Sequence, residues 1–338
     1  MSVSVAVLGA GAWGTVFSQI LADAGNTVVM WARDPEVAEG INAGRNPRYA
    51  LDLQLHPAIS ATTDPEQALH GATLVAVAIP SFSVRDTLTG LRHAIRPDAT
   101  VLSLAKGMEA GTLRFMTEVI NEAAGVSPGR IVALSGPNLS AEIAQKKFTA
   151  TVAAGSDMER AGLVASYCHA PYFRPYVSGD VMGAEVGGVV KNIVAMAVGA
   201  AEGKQMGVNA RASIITRGLA EMARFGIALG ARVDSFLGLA GLGDLVATCS
   251  SPLSRNYSFG YRIGQGMSVA QAYEASAGVV EGARSVKAIW ELAEKYKVDM
   301  PITRACVDVI DEGVPVDDVI TELLSRPRSM DGIPTKLV

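Results

Sequence analysis

The chain has 338 residues, 49% of them hydrophobic, with a formal net charge of −4 at pH 7. This length suits two domains, and this apolar content supports packed cores, which excludes an intrinsically disordered protein. Because the net charge is slightly negative, neither nucleic acid nor an anionic membrane surface is expected as a partner.

Cysteine, histidine and the N-terminus indicate a cytoplasmic protein without a metal site. The three cysteines are widely spaced and odd in number, which fits a reducing cytosol better than a disulfide scaffold. The four histidines show no ligand spacing. The first residues lack the basic segment of a signal peptide. The most apolar helical stretch, 186–201, is expected to be too short to span a bilayer and contains Lys191, so no membrane span is predicted.

The chain opens on a strand, a glycine-rich turn and a helix. An apolar run over 3–8 precedes Gly9, Gly11 and Gly14, which have the G-x-G-x-x-G spacing. The first glycine permits a tight turn, the second lets phosphates approach the backbone, and the third lets helix and strand pack closely. The N–H groups at the helix start then face the anion. A chance turn is the alternative, but the position between a strand and an amphipathic helix favours a dinucleotide-binding turn.

Short apolar runs alternate with helical patterns through the first half of the chain, which predicts a parallel sheet with crossover helices. The predicted strands are 3–8, 27–31, 74–79, 100–104, 131–134, 149–153 and 172–177. The segment 46–57 lacks periodicity and is predicted to be a loop over the cofactor edge. The predicted fold class is an α/β Rossmann domain with a doubly wound, mostly parallel sheet over residues 1–178.

From about residue 180 the pattern becomes helical. The predicted helices are 181–202, 210–229, 283–296, 302–311 and 316–324. The glycine-rich segments 238–244 and 276–282 are predicted loops, and the tail after Pro327 is expected to fray. Residues 179–338 are therefore predicted to form an all-helical substrate and catalytic domain, with the active site in the cleft between the two domains.

The residues after the second strand indicate which nicotinamide cofactor binds. An acid at this position holds the ribose 2′-hydroxyl of NADH, whereas an arginine accepts the 2′-phosphate of NADPH. Here Arg33 is followed by Asp34. The order favours NADPH, while Asp34 keeps NADH open; a solvated charge pair in a turn is the alternative for either residue.

Lys191 is a solitary charge in the apolar run Gly187-Gly-Val-Val-Lys-Asn-Ile-Val-Ala-Met. Burying a lysine is costly unless it is paired or functional, although a lysine at a helix edge can extend to the surface. A catalytic role is preferred, because lysine can deliver a proton to a carbonyl oxygen while hydride arrives at the carbon.

Three further segments carry polar groups suited to a site. Lys106 directly follows a predicted strand, where its charge would enter the ligand crevice. Asp244 ends a glycine-rich segment and is either a helix N-cap or a partner that orients Lys191. Ser254-Arg255-Asn256 combines a hydroxyl, a guanidinium and an amide, which suits a phosphate, although a simple turn is the more common explanation.

Taken together, these segments resemble the bacterial-type NAD(P)-dependent glycerol-3-phosphate dehydrogenases, in the family's order and over nearly the whole chain. The matching pieces are Gly9-Ala-Gly-Ala-Trp-Gly-Thr15, Lys106-Gly-Met-Glu109, Ser135-Gly-Pro137, Val190-Lys-Asn-Ile193, Asn209-Ala-Arg-Ala-Ser-Ile-Ile-Thr-Arg-Gly-Leu-Ala-Glu-Met222, Gly238-Leu-Ala-Gly-Leu-Gly-Asp244, Ser254-Arg-Asn256, Val280-Glu-Gly282 and Met300-Pro-Ile302.

The resemblance implies interconversion of dihydroxyacetone phosphate and sn-glycerol 3-phosphate with NADPH, or NADH, in supply of phospholipid synthesis. Lys191 matches the family's proton donor and acceptor. The positions matching substrate contacts are Lys106, Gly136, Asn138, Lys191, Asp244, Ser254, Arg255 and Asn256. The positions matching cofactor contacts, besides the three glycines, are Ala12, Trp13, Arg33, Lys106, Ser140, Arg255, Val279 and Glu281.

The chain departs from the family pattern at two of these positions. An amide at Asn138 replaces the usual hydroxyl, and Ser140 replaces an alanine; the loop Tyr49-Ala-Leu-Asp52 also lacks the usual Leu-Pro pair. The alternatives are a related two-domain ketopantoate or hydroxyacid reductase, and a non-catalytic NADP-binding protein. The apolar faces of the helical domain would suffice for a homodimer.

Overall fold

The computed structural model describes residues 2–49, 53–276 and 278–326. The chain divides into two compact units, which are described separately. The first comprises Met1–Lys106 and Arg114–Val181, and the second comprises Gly107–Leu113 and Met182–Val338. The predicted fraying of the tail after Pro327 falls outside the described residues.

The first unit contains an eight-stranded sheet. The strands of the described residues are β1 Ser4–Leu8, β2 Thr27–Trp31, β3 Ile59–Thr62, β4 Leu74–Val77, β5 Thr100–Ser103, β6 Met108–Glu109, β7 Arg114–Phe115, β8 Ile131–Ser135, β9 Thr149–Gly155 and β10 Phe173–Ser178. The order of the sheet is β10-β9-β8-β5-β4-β1-β2-β3. All neighbours in it are parallel except β8 and β9, which are antiparallel with Val132 opposite Gly155. The predicted doubly wound, mostly parallel sheet is confirmed.

Helices cover both faces of this sheet because alternate strand residues point to opposite sides. Val5 and Val7 of β1 belong to one buried cluster with Phe17, and Ala6 and Leu8 belong to the other with Leu88. The helices of this unit are α1 Ala12–Asp23, α2 Pro35–Asn42, α3 Pro65–Leu69, α4 Val84–Leu91, α5 Met116–Ala124, α6 Ser140–Ala144 and α7 Met158–Tyr167.

Sequence reasoning missed the edge strand β3 and the two-residue strands β6 and β7. The segment Ile-Ser-Ala-Thr of β3 has a single large apolar side chain, so its sequence carries little strand signal. Of the predicted loop 46–57, residues 46–49 and 53–57 contain neither helix nor strand, and 50–52 lie outside the described residues.

The described part of the second unit is helical apart from β6. Its helices are α8 Val181–Gly203, α9 Gly207–Ala228, α10 Val233–Leu237, α11 Asp244–Cys249, α12 Arg255–Gly264, α13 Val269–Glu274, α14 Glu281–Lys295, α15 Pro301–Ile310 and α16 Val316–Ser325. Sequence reasoning missed the short helices α10 to α13.

The prediction of a loop over 238–244 was wrong. Residues Leu239–Gly243 form a π-helical turn that runs directly into α11. Gly241 within it serves close packing, because a Cβ on this residue would overlap the backbone of Phe236. A glycine-rich segment therefore marked a tight helical contact here instead of a loop.

The prediction that the apolar helix is too short to span a bilayer was also wrong. Helix α8 has 23 residues, and at about 1.5 Å per residue this length would reach across a hydrocarbon core. However, 83% of its most apolar window is buried inside the protein. Buried residues lie on every face of the helix, which is the pattern of a core helix.

A buried carboxylate in the second unit joins two helices. Glu221 of α9 is 1% exposed and accepts hydrogen bonds from Ile302 N at 2.6 Å and from Thr303 N at 3.2 Å. These two N–H groups belong to the first turn of α15, where they lack partners within the helix. Burial raises the pKa of Glu221 to about 7, against the opposing effect of these donors and of Arg224.

We expect this carboxyl to make stability fall as pH rises. The raised pKa means that the folded protein binds more protons than the unfolded chain between about pH 4.5 and pH 7. The free energy of unfolding should therefore decrease across this window by up to about 1 kcal/mol per pH unit relative to Glu221→Gln. Urea titrations at several pH values test this, with exposed Glu294→Gln as control; parallel curves for Glu221→Gln and wild type would contradict it.

Candidate active site

The glycine-rich turn between β1 and α1 has the geometry of an anion-binding turn. Gly9 has φ +116°, and a Cβ there would lie 2.7 Å from the carbonyl oxygen of Ala78; a Cβ on Gly14 would overlap the carbonyl oxygen of Gly9. A Cβ on Gly11 would approach only the Tyr49 hydroxyl, at 3.9 Å. Gly9 and Gly14 thus allow close packing of the backbone, while the space in front of Gly11 is open.

The open glycine is also the N-cap of α1 and contributes no side-chain cap to its first turn. The backbone there, including Ala12 and Trp13, can therefore face a ligand anion. This arrangement fits the pyrophosphate of a nicotinamide dinucleotide. Tyr49 beside the turn was missed, since an exposed tyrosine in an aperiodic segment carries no signal of its position.

Arg33 and Asp34 follow β2 and have different surroundings. Arg33 is exposed. The Asp34 carboxylate accepts a hydrogen bond from Glu36 N at 3.0 Å, capping α2, and its other oxygen lies 3.5 Å from Nη1 of Arg48. Asp34 is therefore engaged by the protein at both oxygens, and Arg48 is a neighbour that sequence reasoning missed.

Lys106 and Gly136 meet at the carboxyl ends of β5 and β8. The Lys106 ammonium donates to the carbonyl oxygen of Gly136 at 3.0 Å. Gly136 has φ +144°, and a Cβ there would lie 2.9 Å from Oγ1 of Thr151. The structure thus brings together two of the predicted site residues, at the edge of the sheet where ligands of open α/β folds bind.

Asn138, two residues further on, has a buried oxygen without a hydrogen-bond partner among the described residues. Its Nδ2 donates to Thr151 Oγ1 at 3.1 Å, while the Thr151 hydroxyl donates to the carbonyl oxygen of Ser135 at 3.0 Å. Because the Thr151 proton is already used, the amide nitrogen of Asn138 must face Thr151. Oδ1 is therefore an acceptor that a ligand could satisfy. Ser140 begins the five-residue helix α6.

In the second unit, Lys191 and Asp244 form a buried ion pair. Lys191 is 8% exposed and Asp244 is 1% exposed. The Lys191 ammonium donates to Asp244 Oδ1 at 2.6 Å and to Thr248 Oγ1 at 2.8 Å. Thr248 in turn lies 3.2 Å from the same carboxylate oxygen. Lys191 does not extend to the surface, and Asp244 begins α11 with Gly243 as the N-cap, so its side chain is directed to the lysine.

Thr248 was missed, although its spacing contained a signal. It lies four residues after Asp244, and residues at this spacing share one face of a helix. No helix was predicted over Asp244–Cys249, so the shared face of these two residues was not recognised.

Ser254, Arg255 and Asn256 open α12 instead of forming a simple turn. The Ser254 hydroxyl accepts from Tyr257 N at 3.2 Å and is the N-cap, and Arg255 is exposed at the helix start. Asn256 is buried and donates to Asn192 Oδ1 at 2.9 Å. Its own oxygen accepts from Gly282 N at 2.9 Å.

These contacts give the amide a structural role. One hydrogen of the Asn256 amide nitrogen and its oxygen bind protein groups, so Asn256 ties α8 to the start of α14, while its role as a substrate contact stays a prediction. Asn192, the residue after Lys191, was missed. The predicted cofactor contacts Val279 and Glu281 lie next to this junction, since Glu281 begins α14.

Two features define the class of this protein. One is the mostly parallel sheet with its glycine turn, and the other is the helical unit with its buried lysine–carboxylate pair. Nicotinamide-dependent dehydrogenases that pair a Rossmann domain with a helical domain have both. Residues 4–161 match the family model of the NAD-dependent glycerol-3-phosphate dehydrogenase N-terminus, and residues 180–321 match that of the C-terminus. The chain belongs to the NAD-dependent glycerol-3-phosphate dehydrogenase family, as the resemblance predicted.

Individual relatives agree with this assignment. The glycerol-3-phosphate dehydrogenase (NAD(P)+) of Nocardia farcinica is 52% identical over 328 residues, covering 95% of this chain and 97% of the relative. That of Corynebacterium aurimucosum is 50% identical over 330 residues, covering 97% and 99%. The crystal structure of glycerol-3-phosphate dehydrogenase from Coxiella burnetii has a TM-score of 0.91 at 33% identity, covering 96% of this chain and 99% of that one.

The glycine turn generates a paired prediction. Gly14→Ala should destabilise the protein by about 3 kcal/mol, because its Cβ would overlap backbone that cannot yield. Gly11→Ala should leave the melting temperature within about 2 °C of wild type but weaken NADPH binding at least about tenfold, because the methyl group would occupy the space of the phosphates. Thermal melts and titration of NADPH fluorescence separate the two; unchanged binding in Gly11→Ala would contradict the assignment.

Proposed function

We propose that this protein interconverts dihydroxyacetone phosphate and sn-glycerol 3-phosphate with NADPH or NADH. The observation that carries the proposal is the buried cluster of Lys191, Asp244 and Thr248 in a chain of this family. Glycerol 3-phosphate made in this way would supply phospholipid synthesis in the cytoplasm.

Lys191 is the proposed proton donor to the substrate oxygen. An ammonium group has three N–H donors, and two of them are directed at Asp244 and Thr248. The third can meet the carbonyl oxygen of the ketone. Asp244 fixes the direction of the Lys191 ammonium group, so the proton is delivered where negative charge develops.

The nicotinamide ring, when bound, supplies or accepts the hydride at the carbon atom. The residues of this chain position it: the turn Gly9–Gly14 with Ala12 and Trp13 would bind the pyrophosphate. Arg33 would bind the 2′-phosphate of NADPH. NADPH is the preferred cofactor because Arg33 precedes Asp34 and one Asp34 oxygen caps α2, and NADH is the second. Further proposed contacts are Lys106, Ser140, Arg255, Val279 and Glu281.

Arg255 is the proposed ligand of the substrate phosphate. Arg255 is the first residue of the ten-residue helix α12, where the helix dipole also favours an anion, and its guanidinium supplies forked donors. The Ser254 hydroxyl, which uses its oxygen to cap the helix, retains its proton for a phosphate oxygen. Asn256 supports the site by positioning α12 against α8 and α14.

Lys106, Gly136 and Asn138 are the proposed substrate contacts of the first unit. Lys106 adds positive potential. The unpaired Oδ1 of Asn138 is suited to a hydroxyl of the substrate, since a hydroxyl can donate to it. We further propose that the protein is a homodimer assembled through apolar surfaces of its helical unit, with no membrane span and no nucleic-acid partner.

The oxidation of NADPH by the purified protein tests the reaction. Loss of NADPH absorbance should be rapid with dihydroxyacetone phosphate and slow with ketopantoate, because the phosphate contacts of Arg255 would be unused. Turnover of ketopantoate without turnover of dihydroxyacetone phosphate would overturn the proposal in favour of a ketopantoate-type reductase. Cofactor binding without turnover of either ketone would indicate a non-catalytic NADP-binding protein.

The role of Lys191 is tested by Lys191→Ala. We expect kcat to fall by about 10²- to 10⁴-fold, the usual contribution of general acid catalysis. The matched control is Lys204→Ala, which removes a lysine just beyond the end of α8 whose ammonium pairs with exposed Asp317. A folded Lys191→Ala variant with wild-type kcat would eliminate the lysine as proton donor.

A further inference from the structure

The segment 45–49, here called the 45–49 loop, is attached to the glycine-rich turn by one buried side chain. Asn46 is 7% exposed, and its Nδ2 donates to the carbonyl oxygen of Ala10 at 3.0 Å and to Thr15 Oγ1 at 2.8 Å. Its Oδ1 accepts from the backbone N of Arg48 at 3.1 Å. Both amide hydrogens and the amide oxygen are thus used, and together they join the turn to the loop.

The rest of the loop is also held in place. Pro47 packs so closely on α2 that a Cβ on Gly40 would lie 2.5 Å from its ring. The carbonyl oxygen of Gly44 accepts from Leu55 N at 2.8 Å. With Asn46 between these contacts, the backbone of Arg48 is fixed relative to the glycine turn, while its side chain remains 66% exposed.

The Arg48 guanidinium lies beside Asp34, which follows β2 and Arg33. Its Nη1 is 3.5 Å from Asp34 Oδ2, and Arg33 precedes Asp34 directly. The formal charges of these three side chains sum to +1, so Arg48 offsets the repulsion that Asp34 alone would exert on a phosphate. An exposed ion pair of this length contributes little energy, which leaves the guanidinium able to bind an anion.

We propose that Arg48 is a second specificity-determining cation for the 2′-phosphate of NADPH, and that Asn46 is the positioning residue that holds Arg48 at the site. This inference rests on the proposed function, in which Arg33 meets that phosphate. Arg48 has two effects that act in the same direction. It adds a forked donor for the 2′-phosphate, and it keeps Asp34 from selecting the 2′-hydroxyl of NADH.

Direct cofactor binding tests the proposal without depending on turnover. Dissociation constants for NADPH and NADH are measured by fluorescence titration of the full-length protein, and their ratio is the readout. Arg48→Gln should raise the Kd for NADPH about five- to twentyfold while leaving that for NADH within about twofold or lowering it. The matched control is Arg96→Gln, which removes another exposed arginine paired with an aspartate, Asp98, and should leave both constants unchanged.

Asn46→Ala should reduce the preference for NADPH by about three- to tenfold, with the melting temperature measured alongside. The double variant Asn46→Ala/Arg48→Gln should lose scarcely more preference than Arg48→Gln alone, because both changes remove the same contact. A purely structural role for Asn46 would weaken NADPH and NADH binding equally, and that result would overturn the positioning role.

The failures of the two proposals are distinguishable. A wild-type protein that binds NADPH but does not oxidise it with dihydroxyacetone phosphate would overturn the proposed reaction and leave the cofactor inference standing. A wild-type protein that catalyses the reaction, together with an Arg48→Gln variant of unchanged NADPH:NADH preference, would overturn the inference alone.

Discussion

The helical unit depends on the burial of an ion pair, Lys191 with Asp244. Removing either partner of a buried pair leaves a charge without compensation, at a cost of about 3–5 kcal/mol, so the fold must keep α8 and α11 close together. A glycine makes that approach possible. Gly187 lies one helical turn before Lys191, and a Cβ there would overlap the carbonyl oxygen of Ala240, which lies four residues before Asp244. The absence of a side chain at Gly187 thus allows Lys191, the proposed proton donor, to lie close to the Asp244 carboxylate.

Close backbone contacts at glycines also occur further along α8, where α12 packs against it. A Cβ on Gly199 would overlap the Tyr257 carbonyl oxygen, and a Cβ on Gly260 would overlap that of Met196. These contacts bring the start of α12 to α8 closely enough for Asn256 to reach Asn192. One mostly apolar, buried helix therefore carries both the lysine and the anchor of the proposed phosphate site.

Much of the fold and of the candidate site could be predicted from the sequence, and the features that could not be predicted depend on contacts between distant residues. Periodicity and the spacing of Gly9, Gly11 and Gly14 are local properties, and they predicted the sheet, the long helices and the glycine turn. The pairing of Lys191 with Asp244 spans 53 residues, so spacing alone left two roles open for the aspartate. Glycines that permit close helix contacts look the same in a sequence as glycines in loops, which is why 238–244 was assigned wrongly. Asn46 was missed because its partners are backbone atoms and a hydroxyl that only the folded turn presents.

The amide at Asn138 shows how one departure from a family pattern restricts a ligand. A hydroxyl at this position could both donate and accept, so it would tolerate either end of the substrate. One hydrogen of the Asn138 nitrogen is committed to Thr151, whose own proton is committed to Ser135, and this orients the amide so that its buried oxygen is left as an acceptor. A buried acceptor is costly to leave unpaired and repels a phosphate oxygen, which is itself an acceptor. Under the proposed function, Asn138 therefore faces a hydroxyl of the substrate, and the phosphate must be bound elsewhere, which is consistent with assigning it to Arg255.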